Sequence, residues 1–255
     1  MKQGTHRERV AWPSTRHFAS NLVFYRGASE ITGEPIMGVA GRETSNRKTG
    51  PVVQAWILHQ HQSPIAAVKS GADQSICGDC RHRGDGAGNK RSCYVEYFRA
   101  PFNLWTALPR TGVDVRPETV AAMLSGKHLR LGAYGDPAAI PFRVWRTLLS
   151  EVSGWTAYTH QWRRCDQAFR SIAMASVDNE VDRQDAHRMG WRTFRVRSAH
   201  EALMTSEIAC PASDEGGHLA QCASCGLCCG SQRQARSIAI IAHGGGAVHF
   251  ATERP

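Results

Sequence analysis

The fold is decided by residues 128–137, HLRLGAYGDP, which predict a buried β-strand followed by a tight turn. The strand covers His128–Tyr134, and GDP at 135–137 supplies the turn residues. Pro141 then places the first turn of a helix whose apolar residues share one face. A strand, a turn and a helix in this order form one βα unit of a parallel sheet.

The same order of elements recurs along the chain. Further strands are predicted at Val52–Leu58, Gly154–Thr159, Ser171–Val177, Trp191–Val196, Glu207–Cys210 and Ser237–Ala242, and helices at Tyr94–Leu108, Pro117–Gly126 and Glu180–Met189. Strands that alternate with helices indicate an α/β fold with mainly parallel strands. Six or seven strands without a dinucleotide-binding fingerprint favour a full or partial (βα) barrel over an open nucleotide-binding sheet.

The chain before the first predicted strand has a different character. Residues 1–50 are rich in Arg, Ser, Thr and Gly without sustained periodicity, which predicts an irregular N-terminal arm. Residues 51–255 are then expected to form a single barrel-like domain. Two cysteine-rich loops, residues 75–93 and 210–229, are its expected metal-binding segments.

Composition and charge limit the classes of protein and of partner. The sequence contains no run of about 18 apolar residues, so no membrane span is predicted. Its polar N-terminus lacks the apolar segment of a secretory signal. We therefore expect a cytoplasmic protein, in which nine cysteines indicate metal binding rather than disulfides. The net charge of +9 fits either a phosphate-binding face for nucleic acid or a dispersed, solvated surface. Only five of the 31 basic residues are lysines, so in both cases the charge is carried mainly by arginine.

The C-terminal cysteines have the spacing of a metal site. Residues 222–228, CASCGLC, form a C-x2-C-x2-C run, and a remote cysteine beside a proline, as in ferredoxin-type clusters, is found at 210–211. The candidate ligands are Cys210, Cys222, Cys225 and Cys228. One alternative is a closed zinc site with the same four thiolates. Another is that the adjacent Cys229 replaces Cys228 or completes the first cysteine group.

The N-terminal cysteines form an incomplete ligand set. Cys77, Cys80 and Cys93 have the spacing C-x2-C-x12-C, without an evident fourth cysteine nearby. A four-iron cluster held by three cysteines leaves one iron without a protein thiolate, and a substrate or cofactor can bind there. The alternative is a zinc knuckle completed by His82 or by a cysteine from elsewhere in the chain.

Polar residues stand at the ends of the predicted strands, where (βα) barrels carry their working residues. His160, Asp178 and His243 are therefore candidates for proton transfer or substrate orientation. Arg195 and Arg197 are candidates for binding an anion, although strand alternation lets only one parity face inward. The alternative is that these polar residues merely terminate the strands.

Five segments together resemble an uncharacterised protein family of bacteriophages and prophages. They are SICGDC at 75–80, RSCY at 91–94, LGAYGDPAA at 131–139, YTHQW at 158–162 and CPAS at 210–213. The resemblance covers nearly the whole chain beyond residue 20. It implies a phage context, in which modification of nucleic acid or nucleotides is expected by association alone.

The order of motifs also resembles radical S-adenosylmethionine (SAM) enzymes, which have a partial barrel and a three-cysteine loop after the first strand. Here the cysteine loop at 77–93 follows the strand at 52–58. The resemblance implies one or two four-iron clusters, an external electron donor, and SAM held by Tyr134, Gly135, Asp136 and Pro137. The usual C-x3-C-x2-C spacing is absent, and the Gly-Asp-Pro segment equally fits a turn with a helix N-cap.

Together these patterns predict an iron–sulfur enzyme that resembles radical SAM enzymes and acts on a nucleotide, a nucleic acid or another anionic substrate. The alternative from another class is a zinc-stabilised, non-catalytic phage protein that binds nucleic acid or a host protein through its basic surface. A third possibility is a metal-assisted hydrolase using His160, Asp136 and Asp178, although the sequence has no H-x-H or H-E-x-x-H motif.

Overall fold

The computed structural model describes residues 21–85 and 90–252, which form a mixed α/β fold with two sheets. The strands are β1 (Asn21–Ala28), β2 (Pro35–Thr44), β3 (Val52–His59), β4 (Gly112–Asp114), β5 (His128–Tyr134), β6 (Gly154–Thr156), β7 (Tyr158–Thr159), β8 (Met174–Val177), β9 (Thr193–Arg197), β10 (Glu207–Ala209) and β11 (Ser237–Ile241). The helices are α1 (Pro64–Ser70), α2 (Gln74–Cys77), α3 (Ala100–Thr111), α4 (Pro117–Met123), α5 (Phe142–Leu148), α6 (Glu180–Arg188), α7 (Cys222–Cys225) and α8 (Ala247–Thr252). No helix in these ranges combines the length and the apolar character that crossing a bilayer requires.

The first sheet has six strands in the order β4-β1-β2-β3-β5-β6. β1, β2 and β3 pair antiparallel, whereas β3, β5 and β6 are parallel. The prediction of an irregular arm over residues 1–50 is therefore wrong for Asn21–Thr44, which forms two strands and the turn between them. The predicted domain boundary at residue 50 would also separate β2 from β3, which are paired. Residues 1–20 lie outside the described part. The hairpin forms because apolar runs at 22–25 and 36–40 flank a turn in which Gly33 has a φ of 81°.

The second sheet has five parallel strands in the order β10-β11-β9-β8-β7. Only Ala157 separates β6 from β7, so the single strand predicted at Gly154–Thr159 is divided between the two sheets. The N–H of Ala157 donates to the carbonyl of Cys228, and its carbonyl accepts from the N–H of Met174, both at 3.0 Å. Strand pairing within the described ranges closes no barrel, so the predicted full or partial (βα) barrel is not confirmed.

Most of the predicted elements are confirmed. β5 has the predicted bounds, and β3, β9, β10 and β11 differ from their predictions by one or two residues at either end. The helix predicted from Tyr94 instead begins at Ala100, because Pro101 occupies its first turn, where proline is favoured.

The core beside β5 fixes the turn that follows this strand. Trp145 of α5 is fully buried, and its Nε1 donates a hydrogen bond to the carbonyl of Pro137 at 2.8 Å. Its ring packs edge-on against Phe24 of β1, with the ring centroids 5.3 Å apart. The turn at 135–137 is therefore attached both to the sheet and to a helix packed against it.

Candidate functional site

One cavity of about 190 Å³ lies against strands of both sheets. Its strand residues alternate along the chain, as the period of a β-strand requires: Arg130, Gly132, Tyr134, Thr156, Tyr158, Ser176, Phe194, Val196, Ile238 and Ile240. The same cavity is lined by both cysteine groups, that is by Cys77, Cys80, Cys93, Cys210, Cys222, Cys225 and Cys228. The fold thus brings together two loops that are far apart in the sequence.

The N-terminal cysteines follow β3 and α1: Cys77 ends α2, and Cys80 and Cys93 come after this helix. The N–H of Cys93 donates to the carbonyl of His82 at 3.2 Å, which fixes one side of the loop against the other. Burial raises the pKa of Cys77, Cys80 and Cys93, and the charges of the other two thiolates raise the pKa of Cys80 further. Arg91 opposes this rise at Cys93. The three thiols are close enough to affect one another's ionisation, and a bound cation would favour their thiolate forms.

The C-terminal cysteines surround a different part of the cavity. Cys222 and Cys225 begin and end α7, and Cys210 immediately follows β10. Burial raises the pKa of Cys228 to about 12, opposed by its hydrogen bond with Tyr158. The charges of the other three thiolates raise this pKa too, so these four cysteines also lie within electrostatic reach of one another.

Neither cysteine group has the geometry of a site for one ion. Within the described ranges, no three cysteine sulfurs all lie within 4.8 Å of one another. A tetrahedral zinc ion with Zn–S bonds of about 2.3 Å brings its sulfurs to roughly 3.8 Å from each other. In a four-iron cluster each cysteine binds a different iron, so its sulfurs stand further apart. The alternative ligand Cys229 is not among the residues that line the cavity.

Hydrogen bonds within the chain fix the Gly-Asp-Pro turn. Asp136 Oδ1 accepts from the N–H of Ala138 at 2.9 Å, and Oδ2 accepts from the N–H of His160 at 2.7 Å. Burial raises the pKa of Asp136 to about 6, and these backbone hydrogen bonds limit the rise. Asp136 is therefore the N-cap of the short helix that follows, as in the alternative interpretation of this motif. Tyr134, Gly135 and Asp136 line the cavity, and Pro137 does not.

Gly135→Ala is expected to reduce the free energy of unfolding by about 1–3 kcal/mol, measured by urea denaturation. Gly135 has a φ of 84°, and an added Cβ would lie 2.8 Å from the Cβ of Ile57. The matched control is Gly33→Ala, because Gly33 has a φ of 81° with no atom within 4 Å of an added Cβ. Equal losses in the two variants would contradict the packing argument.

Three side chains meet beside the N-terminal cysteines. His82 Nε2 lies 2.9 Å from Asp178 Oδ1, and His160 Nε2 lies 3.9 Å from Asp178 Oδ2. Burial opposes the ionisation of Asp178, but the hydrogen bond and charge of His82 lower its pKa overall, whereas burial lowers the pKa of His160 to about 4. The structure thus brings the sequence candidates His160 and Asp178 together. It adds His82, which the sequence suggested only as a zinc ligand.

His243 lies elsewhere in the cavity, in a cationic group. Its Nε2 is 3.1 Å from Lys48 Nζ, and its ring stacks on Tyr94, whose hydroxyl accepts a hydrogen bond from Arg130. Burial and the charge of Lys48 lower the pKa of His243. In the described part of the chain, neither Lys48 nor Arg130 pairs with a carboxylate. Arg130 therefore presents positive charge to the cavity, whereas burial lowers the pKa of Lys48, an effect that the charge of Cys210 opposes.

Arg195 and Arg197 do not reach the cavity, because the even-numbered residues of β9 face it. Both Arg195 and Glu207 are fully buried, and they form a bidentate ion pair with distances of 2.8 and 2.7 Å. Arg197 pairs with Glu215. Neither arginine lines the cavity and each pairs with a carboxylate of the same chain, so the described ranges give no support to the prediction that they bind an external anion.

Comparisons with protein-family models, with curated proteins and with solved structures find no match. A function for the chain therefore rests on the chemistry and geometry of the cavity.

Proposed function

We propose that this protein is an iron–sulfur enzyme that resembles radical SAM enzymes and acts on a nucleotide, a nucleic acid or another anionic substrate. The observation that carries the proposal is the convergence of both cysteine groups on one cavity. A metal site that only stabilises a fold has no need to face a cavity, whereas a cluster that reacts with a bound molecule does. The proposed setting is the reducing cytoplasm of a bacterial host, and the phage context remains part of the proposal.

The proposal includes a partial barrel made from both sheets. β3, β5 and β6 run parallel in the first sheet, and β7, β8, β9, β11 and β10 run parallel in the second. Ala157 joins the two series along the chain, between β6 and β7, and its carbonyl accepts a hydrogen bond from the N–H of Met174 in β8. The alternation of cavity-lining residues continues from β5 to β11, which supports one curved array of strands around the site.

The cysteines are assigned to two clusters. Cys77, Cys80 and Cys93 would hold the reactive cluster, with one iron free of protein thiolate, and the four C-terminal cysteines would hold a second. Thiolate donors whose sulfurs do not all lie within 4.8 Å of one another fit an iron–sulfur cluster better than a single zinc ion. When bound, a reduced cluster supplies one electron, received from an external donor, for cleavage of the SAM sulfonium carbon–sulfur bond into methionine and a 5′-deoxyadenosyl radical.

Residues of the chain bind and orient the reactants. Tyr134 Oη is buried and has no hydrogen-bond partner among the described residues, so it can donate to a ligand in the cavity. Asp136 acts by fixing the turn, since backbone N–H groups occupy its carboxylate. Lys48 and Arg130 attract the negative charge of the substrate, which favours a phosphate-bearing molecule.

Cys80→Ser is expected to abolish SAM cleavage by dismantling the reactive cluster. Wild-type protein purified without oxygen should contain iron and sulfide, bind SAM in calorimetry and release 5′-deoxyadenosine after reduction. The control is Cys165→Ser, because Cys165 lies outside both groups and does not line the cavity.

Zinc in place of iron at Cys77, Cys80 and Cys93, or an iron-loaded sample that does not bind SAM, would rule out the radical mechanism. Two zinc ions per chain, together with strongly salt-dependent binding of nucleic acid, would instead support the zinc-stabilised binding protein.

A further inference from the structure

We propose that His82, His160 and Asp178 form a binding site for one divalent first-row transition-metal ion, separate from the cysteine groups. One ring nitrogen of each histidine and one carboxylate oxygen of Asp178 all lie within 4.8 Å of one another. Among the described residues, this is the set of three potential metal ligands whose ligand atoms all lie this close together. The site does not depend on the proposed iron–sulfur function.

The distances fit a shared ion. Metal bonds of about 2.0–2.2 Å to nitrogen and oxygen place neighbouring ligand atoms roughly 3–4 Å apart. His82 Nε2 lies 2.9 Å from Asp178 Oδ1, and His160 Nε2 lies 3.9 Å from Asp178 Oδ2. An ion between these atoms therefore requires only small side-chain movements.

The surroundings of His82 are those of a metal-binding histidine. Its Nδ1 lies 2.8 Å from Ser92 Oγ, a buried hydrogen bond that orients the ring and directs Nε2 toward Asp178. Phe250 stacks on the ring, with the centroids 5.7 Å apart. Histidine ligands of metals are commonly oriented in this way by a polar partner on the second ring nitrogen.

His160 supplies an independent observation. Its Nε2 is buried and has no hydrogen-bond partner within the described ranges, whereas its backbone N–H is fixed by Asp136. A hydrogen bond between His82 and Asp178 alone leaves this nitrogen unsatisfied, which costs free energy because the atom is removed from water without gaining a partner. A metal ion bound by all three side chains removes that cost.

The donor set identifies the class of ion. Two imidazole nitrogens with one carboxylate oxygen suit Mn²⁺, Fe²⁺, Co²⁺ or Zn²⁺, whereas Mg²⁺ and Ca²⁺ prefer oxygen ligands alone. His82 and His160 line the cavity, so the remaining coordination positions of the ion would open into it. The site could then hold a water molecule or an anionic ligand.

Mn²⁺ is the probe of choice, because its preference for oxygen and nitrogen ligands keeps it off the cysteines. Titration of the full chain, followed by electron paramagnetic resonance, should show one bound Mn²⁺ with magnetic coupling to imidazole nitrogen. His160→Ala should weaken binding by more than a hundredfold, and Ser92→Ala by about ten- to a hundredfold, as for other outer-shell partners. His243→Ala, in the same cavity but outside the set, should bind Mn²⁺ like the wild type.

A wild-type chain that binds no Mn²⁺, or a His160→Ala chain that binds it unchanged, would overturn the proposal. His160→Ala is the decisive variant because the His160 ring makes no hydrogen bond through Nε2, whereas Asp178→Asn disturbs a buried pair and can impair folding. Iron measured in the same samples separates the two proposals, since a chain without iron that still binds Mn²⁺ refutes only the iron–sulfur function.

Discussion

Glu207→Gln is expected to reduce the free energy of unfolding by about 3–5 kcal/mol, the usual cost of leaving a buried charge without its partner. Arg195 and Glu207 are both fully buried and joined by two hydrogen bonds. Glu207 Oε2 also accepts from the N–H of Met204 at 3.0 Å. The neutral amide cannot balance the guanidinium charge, and the partly exposed Glu201, with Oε1 3.8 Å from Arg195 Nη1, balances only part of it. Chemical denaturation should therefore show a large loss of stability.

Two controls separate this effect from a general sensitivity to mutation. The double variant Arg195→Met, Glu207→Leu should recover most of the loss, because an apolar pair of similar size leaves no buried charge. Glu180→Gln breaks a partly exposed pair with Arg183 and should cost no more than about 1 kcal/mol. A Glu207→Gln loss as small as that of Glu180→Gln would show that water reaches Arg195.

The buried pair also shows where strand patterns stop being informative. In β9 the polar residues Thr193, Arg195 and Arg197 alternate with apolar ones, whereas β11 is apolar on both faces, so the sequence separates the two faces of β9 without showing which of them meets the cavity. Only the packing of the sheet shows that the even-numbered residues of β9 face the cavity. For that reason Arg195 and Arg197 could be located on a strand but not assigned to the correct face.

Local sequence patterns were sufficient to predict most of the parallel strands and the helices between them. The turn residues after β5 and the proline that opens α4 fix where these elements begin or end. The hairpin of β1 and β2 was missed, although apolar runs at 22–25 and 36–40 on either side of a glycine-containing turn were a usable signal. Its pairing with β3 depends on contacts between distant segments, which no local pattern contains.

The candidate site was only partly predictable, for a similar reason. The spacing of the cysteines identified both groups, because the cysteine ligands of a metal site are often separated by short, regular intervals in the sequence. The convergence of the groups depends on the path of the chain between Cys93 and Cys210. His82 stands two residues after Cys80, and nothing in that spacing indicates that it meets Asp178.

Cys225→Ser is expected to remove metal from the C-terminal cysteines and to lower the free energy of unfolding by about 5 kcal/mol or more, roughly 10–20 °C in Tm. Between β10 and β11 the chain has only the four-residue α7 as regular secondary structure. A loop of this length is rarely ordered without further constraints. Metal bound at the proposed C-terminal site would supply them by linking Cys210 to the run 222–228, because small structural metal sites contribute on the order of 10 kcal/mol.

The matched control is Cys229→Ser, which changes a neighbouring thiol that does not line the cavity. It should retain the wild-type metal content and Tm. Hydrogen bonds also hold this loop: the N–H groups of Cys222 and Ala223 donate to carbonyls of the segment before β3, and the guanidinium of buried Arg192 donates to the carbonyls of Leu227, Gly230, Ala235 and Arg236. If these bonds alone order the loop, Cys225→Ser will keep the Tm of the wild type, and the metal site will have no structural role.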